Sequence, residues 1–134
     1  MTGVIQAERL TKIYGSNSVV DQVTFDVSEG EIFGFLGQNG AGKTTTTRML
    51  TGVIPPNNGT ATILGYDIRK EPIYAKQRFG VVPETSNAYT DLSAQQNMLL
   101  MGELYDLPKS EIKRQTNELL HLVGLIEQKD QKVQ

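Results

Sequence analysis

The amino-acid sequence predicts an α/β fold, and three observations along the chain support that prediction. An apolar stretch of strand length, residues 31–36, leads into a glycine-rich loop, residues 37–44, which opens into a helix-forming stretch that reaches residue 50. Short apolar or alternating stretches on either side of this unit indicate further strands. After residue 84 the periodicity becomes helical. We therefore expect an α/β core with an antiparallel β part over residues 1–84 and a helical subdomain over residues 85–134.

The β-rich part contains five candidate strands and two candidate helices. Strands are predicted over residues 4–10, 19–27 and 31–36, over 60–64 after the turn signal at 57–59, and over 79–83. The loop helix should end near Gly52. Pro72 suits the first turn of a short helix that continues to Arg78.

Two longer helices are predicted in the helical part. Ser93 and Gln96 have the spacing of a capping box, which opens a helix that reaches about Tyr105. A second helix should run from Pro108 to Val123. Its expected apolar side consists of Ile112, Leu119, Leu120 and Val123.

The composition argues against several classes of function. The chain has 134 residues, a net charge of −2, no cysteine and a single histidine, so thiol chemistry and cysteine–zinc sites are excluded. The charge balance argues against binding nucleic acid through phosphate contacts. Neither an apolar stretch of membrane-spanning length nor a secretory signal is evident. We expect a cytoplasmic protein, or one held on the cytosolic face of the membrane through a partner.

Residues 37–44 read Gly-Gln-Asn-Gly-Ala-Gly-Lys-Thr and match the phosphate-binding pattern G-x-x-x-x-G-K-[ST] in full. Gly37, Gly40 and Gly42 allow the backbone to curve so that successive N–H groups point into one concavity. Lys43 is placed to reach the β- and γ-phosphates of a nucleotide, and the Thr44 hydroxyl is placed to bind Mg²⁺. The strand before the loop and the helix after it are the context that this motif requires. On its own, the motif fits a kinase, a GTPase or an ATPase.

The flanking segments narrow this choice, because they resemble the ATP-binding subunits of ABC transporters over the whole chain. The resemblance is carried by residues 10–15, 23–32, 34–45, 50–60 and 92–125, in that order. The last segment, with Tyr105-Asp-Leu-Pro108, is most similar to the exporter branch often called ABC-2. The fold implied is a P-loop NTPase of the ABC ATPase type, here in truncated form.

The resemblance implies that ATP is the bound nucleotide. Tyr14 occupies the position where the family stacks an aromatic ring on adenine, and Val20 lies either against that ring or in the core. Lys43 would be the catalytic residue that stabilises charge on the γ-phosphate, and Thr45 would touch the α-phosphate. The expected nucleotide-binding residues are Tyr14, Gly37, Gln38, Asn39, Gly40, Ala41, Gly42, Lys43, Thr44 and Thr45.

Mg²⁺ is expected with the nucleotide, held by Thr44 and Glu84. Glu84 follows the predicted strand 79–83, where the family usually has a glutamine that senses the γ-phosphate. A carboxylate can coordinate Mg²⁺ or accept from its water, but it cannot donate to phosphate as an amide can. The alternative for Glu84 is an ordinary solvated loop acid.

The resemblance also implies two partners, a multi-span membrane subunit and a second ATP-binding subunit. The helical subdomain would receive a helix of the membrane subunit, with Tyr89 and Leu92 as expected contacts, while residues 98–104 also pack between helices. Residues 92–96 superficially resemble the family signature, but they lack its two glycines and the capping box accounts for them.

The family's signature, its magnesium-binding aspartate, its catalytic glutamate and its switch histidine have no match in the chain, and His121 does not correspond to the last of these. We therefore expect an N-terminal fragment that binds ATP and ADP without hydrolysing ATP, and whose unpaired sheet edges invite self-association. Two alternatives are a soluble ABC-type ATPase of translation or DNA repair and a non-enzymatic nucleotide-binding fragment.

Overall fold

The computed structural model describes residues 3–85 and 87–133 of the chain. Two compact units divide between Val82 and Pro83, close to the division predicted between residues 84 and 85. The first unit contains β1 (Ile5–Tyr14), β2 (Asn17–Val27), α1 (Lys43–Leu50), β3 (Asn58–Ile63), β4 (Tyr66–Asp67) and α2 (Pro72–Lys76). The second contains α3 (Ala94–Leu104), α4 (Lys109–Leu122) and a 3₁₀ turn, Ile126–Gln128.

The four strands of the first unit form one sheet in the order β2-β1-β3-β4, and every pairing is antiparallel. Tyr14 pairs with Asn17 at the β1–β2 turn, and Ile5 pairs with both Val27 and Ile63. The antiparallel β part predicted from the sequence is therefore confirmed. Strands 4–10 and 19–27 were predicted shorter than they are, and β4 was not predicted.

α1 covers one face of this sheet and completes the core. Leu10 of β1 and Met49 of α1 are fully buried, and burial of each such side chain contributes about 1.5–3 kcal/mol to folding. The same cluster contains Ala7, Val20, Ala61, Ile63, Ile68 and Ala75. This packing fixes where the helix, and with it the preceding loop, lies on the sheet.

The β1–β2 ladder is interrupted by bulges. Arg9 and Gln22 have left-handed φ angles of 48° and 47°, and their N–H groups leave the ladder. Threonine hydroxyls accept both hydrogen bonds instead, Thr24 Oγ1 from Arg9 N at 3.0 Å and Thr11 Oγ1 from Gln22 N at 3.1 Å. The bulges therefore bend the sheet without orphaning backbone donors.

The strands predicted over 31–36 and 79–83 are not formed in the described part of the chain. Phe33 and Phe35 contact the ring of Phe25 on β2, with centroids 5.1 and 5.5 Å apart, while Ile32 and Leu36 are 99% and 92% exposed. The side chains thus alternate as in a strand. Residues 31–36 nevertheless form no strand, because residues 3–85 and 87–133 contain no other strand that pairs with them.

The predicted capping box opens the first helix of the second unit. Ser93 Oγ accepts from Gln96 N at 3.2 Å, and Gln96 Oε1 accepts from Ser93 N at 2.9 Å. These bonds account for the sequence 92–96 without any role as a family signature. Carbonyls of Gln131 and Lys129 accept from the next two helical N–H groups, Ala94 N and Gln95 N.

α4 packs on α3 where Gly102 lies against Ile112. The buried side of α4 consists of Ile112, Thr116 and Leu120, four residues apart. Of the predicted apolar side, Ile112 and Leu120 are buried, whereas Leu119 and Val123 are 45% and 62% exposed, because the buried residues follow one narrow i, i+4 row. In the described ranges, no helix has the length and hydropathy needed to cross a membrane.

Candidate nucleotide-binding site

The glycine-rich loop lies on the surface directly before α1. Gly40 and Gly42 both have φ of 85°, a conformation that costs other residues about 1–2 kcal/mol. Gly42 is the N-cap of α1, and its carbonyl accepts the hydrogen bond from Thr46 N at 2.8 Å. The sequence assigned the same conformational role to Gly37, but Gly37 has no positive φ. A Cβ there would instead lie 3.3 Å from the Cβ of Ala41.

Gly42 also permits a close approach between the loop and β2. A Cβ on Gly42 would lie 2.6 Å from the Val19 carbonyl oxygen and 3.0 Å from Val20 Cγ2. Val20 belongs to the buried core, which supports the core alternative stated for it. The start of α1 is thus held against β2 by a contact that only glycine allows.

Three backbone donors at this helix start are available to a ligand. Across the residues that the structure describes, the N–H groups of Lys43, Thr44 and Thr45 have no hydrogen-bond acceptor. They are the orphan donors of the first helical turn, where the helix dipole also favours an anion. No aspartate or glutamate occupies the first turn of α1.

Lys43 extends back across the loop that precedes it. Its Nζ donates to the carbonyl oxygens of Gly37 at 2.6 Å and Gln38 at 2.7 Å. In the described chain it has no carboxylate partner. The ammonium group is therefore held at the loop by neutral acceptors, which a charged phosphate oxygen can replace with a stronger, charge-assisted hydrogen bond.

The four consecutive threonines of α1 differ in what their hydroxyls bind. Thr46 Oγ1 donates to the Gly42 carbonyl at 3.0 Å, and Thr47 Oγ1 donates to the Lys43 carbonyl at 3.1 Å. The hydroxyls of Thr44 and Thr45 have no such bond to any described residue. The two threonines that the sequence assigns to ligands are therefore the two whose hydroxyls are free.

Tyr14 lies at the end of β1 with 51% of its surface exposed. It pairs with Asn17, and Val20, three residues further along β2, contacts Gly42. At about 3.3 Å per residue, this places the start of α1 about 10 Å along the strand from Tyr14. The structure brings the predicted ring and the predicted phosphate loop to the same end of the sheet.

Glu84 lies at the start of the second unit, exposed, in a bend after residues 79–83. Its predicted place beside Mg²⁺ stays a prediction. Within the described ranges, no group of three or more acidic or histidine side chains could enclose a metal ion. A magnesium site at Thr44 is of another kind, since most of its ligands would be phosphate oxygens and water.

Sequence reasoning missed Lys12. Its Nζ lies 5.4 Å from the centroid of the Tyr14 ring and donates to the Pro55 carbonyl at 2.6 Å. The spacing of two residues within β1 places Lys12 on the same face as Tyr14, whereas its bond to Pro55 has no signal in the sequence.

Comparison with known proteins identifies the family of this chain. Residues 20–134 match the sequence model of the family described as ABC transporter. The linearmycin resistance ATP-binding protein LnrL of Bacillus subtilis (strain 168) is 40% identical over 131 residues, which are 98% of this chain and 42% of that protein. The bacitracin transport ATP-binding protein BcrA of Bacillus licheniformis is also 40% identical, over 93% of this chain and 40% of its own length.

A solved structure described as the ATP-binding subunit of an ABC transporter superimposes with a TM-score of 0.79 at 29% identity, covering 96% of this chain and 54% of its own. The chain belongs to the ABC transporter family, and family membership implies nucleotide binding. It spans about two fifths of the length of these curated relatives.

Proposed function

We propose that this chain is the nucleotide-binding part of the ATP-binding subunit of an ABC exporter and that it binds Mg-ATP and ADP at the loop 37–44. The observation that supports this most strongly is the arrangement at the start of α1. Three free N–H groups and two free hydroxyls lie in the first turn of this helix, and the Lys43 ammonium is held at the preceding loop by neutral carbonyls. The relatives' names refer to ATP binding and to transport or resistance.

In this proposal the residues have separate tasks. The backbone of residues 37–42 surrounds the phosphates, Lys43 moves from the loop carbonyls to the β- and γ-phosphates, and Thr45 contacts the α-phosphate. Thr44 would bind Mg²⁺, with Glu84 as the second candidate ligand. When bound, Mg²⁺ neutralises charge on the β- and γ-phosphates.

Titration calorimetry of the 134-residue chain with Mg-ATP tests the assignment of Lys43. Lys43→Ala should weaken ATP binding strongly, because it removes a charge-assisted contact with phosphate. Lys113→Ala, the same substitution on an exposed lysine of α4, is the matched control and should bind as the parent does. Equal ATP affinity for Lys43→Ala and Lys113→Ala would contradict the proposal.

Adenine is proposed to stack on the exposed ring of Tyr14. Stacking on an aromatic ring contributes about 1–3 kcal/mol, so Tyr14→Ala should lose about that much while Tyr14→Phe binds nearly normally. If all three proteins have the same affinity for ADP, the base is bound elsewhere.

We further propose that these 134 residues do not turn ATP over by themselves. Hydrolysis requires an oriented water and charge neutralisation from several sides. The family resemblance implies that a catalytic glutamate, a switch histidine and a facing signature loop provide these, and the sequence matches none of them. Phosphate release at saturating Mg-ATP should stay at the buffer background. Steady release that Lys43→Ala abolishes would refute this.

The partners proposed are a membrane subunit and a second ATP-binding subunit, with the chain peripheral on the cytosolic face of the membrane. The second unit has a cavity of about 400 Å³ between α3 and α4, lined by apolar side chains that include Met98, Met101, Leu107, Ile112 and Leu119. We propose that a helix of the membrane subunit occupies it. Asn97 holds the adjacent loop in place, because its side chain exchanges hydrogen bonds of 2.7 and 3.0 Å with the Tyr89 backbone.

The absence of cysteine makes a direct test of this contact simple. Met101→Cys, at the cavity and labelled with a thiol-specific photoreactive cross-linker, should cross-link on illumination to a co-expressed membrane subunit encoded beside this chain's gene. Lys113→Cys should not. Equal cross-linking of both variants would place the contact elsewhere, and a neighbouring gene without membrane spans would favour the soluble ABC-type alternative.

A further inference from the structure

Lys12 contacts two segments that are far apart in the sequence, the Tyr14 ring on β1 and the turn at Pro55 after α1. It lies two residues before Tyr14 on β1, so both side chains leave the same face of the strand. The Lys12 ammonium lies over the Tyr14 ring, 5.4 Å from its centroid, within the roughly 6 Å over which a cation attracts an aromatic face. Lys12 is the one cation over that ring in the described chain.

The Lys12 ammonium group also forms a hydrogen bond with a backbone carbonyl. It donates to the carbonyl of Pro55 at 2.6 Å, in the turn that follows α1. Two further bonds join this turn to the same end of β1. Asn57 N donates to the Thr11 carbonyl at 2.9 Å, and Asn57 Oδ1 accepts from Ile13 N at 2.9 Å.

We propose that Lys12 is a positioning residue for the nucleotide base: it fixes the Tyr14 ring from one face and leaves the opposite face for adenine. This inference rests on the proposed stacking of adenine on Tyr14. Half of the Tyr14 surface is exposed, so a ring without Lys12 would be free to rotate. A ring that is ordered before the base arrives loses less conformational entropy on binding.

Because Lys12 acts through Tyr14, its effect on binding must disappear when the ring is removed. Lys12→Met keeps most of the side-chain length and removes the charge. It should weaken both ATP and ADP by about two- to fivefold, the range expected for an exposed cation–aromatic contact. Lys12→Arg retains a cation and donors for the Pro55 carbonyl, and should restore affinity to within about twofold of the parent.

The experiment is a double-mutant cycle on the full chain, read by titration calorimetry with ADP and ATP. It compares the parent, Lys12→Met, Tyr14→Ala and the double variant, with Lys113→Met as the matched charge-removal control. The expected result is that Lys12→Met weakens binding when residue 14 is tyrosine but not when it is alanine. Circular dichroism of each variant confirms that it is folded.

Several results would overturn the inference. An equal loss in both backgrounds would mean that Lys12 acts on the nucleotide through its charge and not through the ring. A loss of thermal stability without any change in affinity would make Lys12 a structural brace only. If Tyr14→Ala loses affinity and Lys12→Met does not, the Lys12 role alone is wrong. If Tyr14→Ala binds like the parent, adenine does not stack on Tyr14, and the proposed role of Lys12 is wrong as well.

Discussion

Alanine substitutions at three loop glycines should have graded effects on stability, because each glycine is required for a different reason. Gly42 combines a φ of 85° with backbone contact, since an added Cβ would meet the Val19 carbonyl at 2.6 Å. Gly40 has the same φ but open space around it. Gly37 has an ordinary φ, and its added Cβ would lie 3.3 Å from Ala41 Cβ and 3.9 Å from Lys43 Cδ, an ordinary contact.

These geometries set the expected free energies of unfolding. The left-handed conformation costs alanine about 1–2 kcal/mol at both Gly40 and Gly42. At Gly42, displacing a backbone carbonyl and Val20 adds about 1–3 kcal/mol, as for overpacking of a core, which gives about 2–5 kcal/mol in total. Gly37→Ala should cost less than about 1 kcal/mol. The Gly42 loss is large compared with the roughly 5–15 kcal/mol that stabilises a typical domain.

Urea unfolding of the three variants, followed by circular dichroism, measures this order directly. We expect Gly42→Ala to be the least stable, then Gly40→Ala, then Gly37→Ala. If Gly42→Ala were as stable as Gly40→Ala, the close contact with β2 would not exist as described. A Gly37→Ala variant that loses as much as Gly40→Ala would mean that Gly37 also adopts a left-handed conformation.

Two further predictions concern the second unit. An added Cβ on Gly102 would lie 2.7 Å from Ile112 Cγ2, so Gly102→Ala and Ile112→Ala should couple by about 1–3 kcal/mol in urea unfolding, and additive effects would contradict that packing. Hydrogen bonds from Arg114 lower the Glu111 pKa to about 2 from its ordinary 4.5. Glu111→Gln should therefore reduce stability above pH 4.5, and the difference from the parent should vanish as the pH falls towards 2. Glu103→Gln, at an exposed glutamate of α3, is the control. An equal loss of stability in Glu103→Gln would mean that the bonds from Arg114 are not the cause.

The helices and their caps could be predicted because their signals are local. Lys43 to Leu50 follows directly from the loop motif, and Ser93 with Gln96 forms both hydrogen bonds that the capping box requires. The left-handed glycines Gly40 and Gly42, which precede this helix, likewise belong to one short sequence pattern. In each of these cases the groups that interact are within a few positions of one another in the sequence.

The features that sequence reasoning missed depend on distant neighbours. Residues 31–36 have the alternation of a strand, yet a strand forms only when another chain segment supplies a ladder, and the sheet of the described residues contains none for them. The bulges at Arg9 and Gln22 depend on threonine hydroxyls of the opposite strand. The place of Lys12 depends on Pro55, more than forty positions away. None of these contacts leaves a periodic trace in the sequence.

The central claim, that nucleotide is bound at the start of α1 and against Tyr14, is tested most directly by amide and aromatic chemical shifts. The 14.8 kDa chain is small enough for ¹⁵N and ¹³C spectra recorded during a titration with Mg-ADP. We predict that the largest changes fall on the amides of residues 40–45 and on the ring of Tyr14, and that Lys43→Ala greatly weakens them at equal nucleotide concentration. Changes confined to residues 94–122, with the loop amides and the Tyr14 ring unaffected at saturation, would contradict the claim.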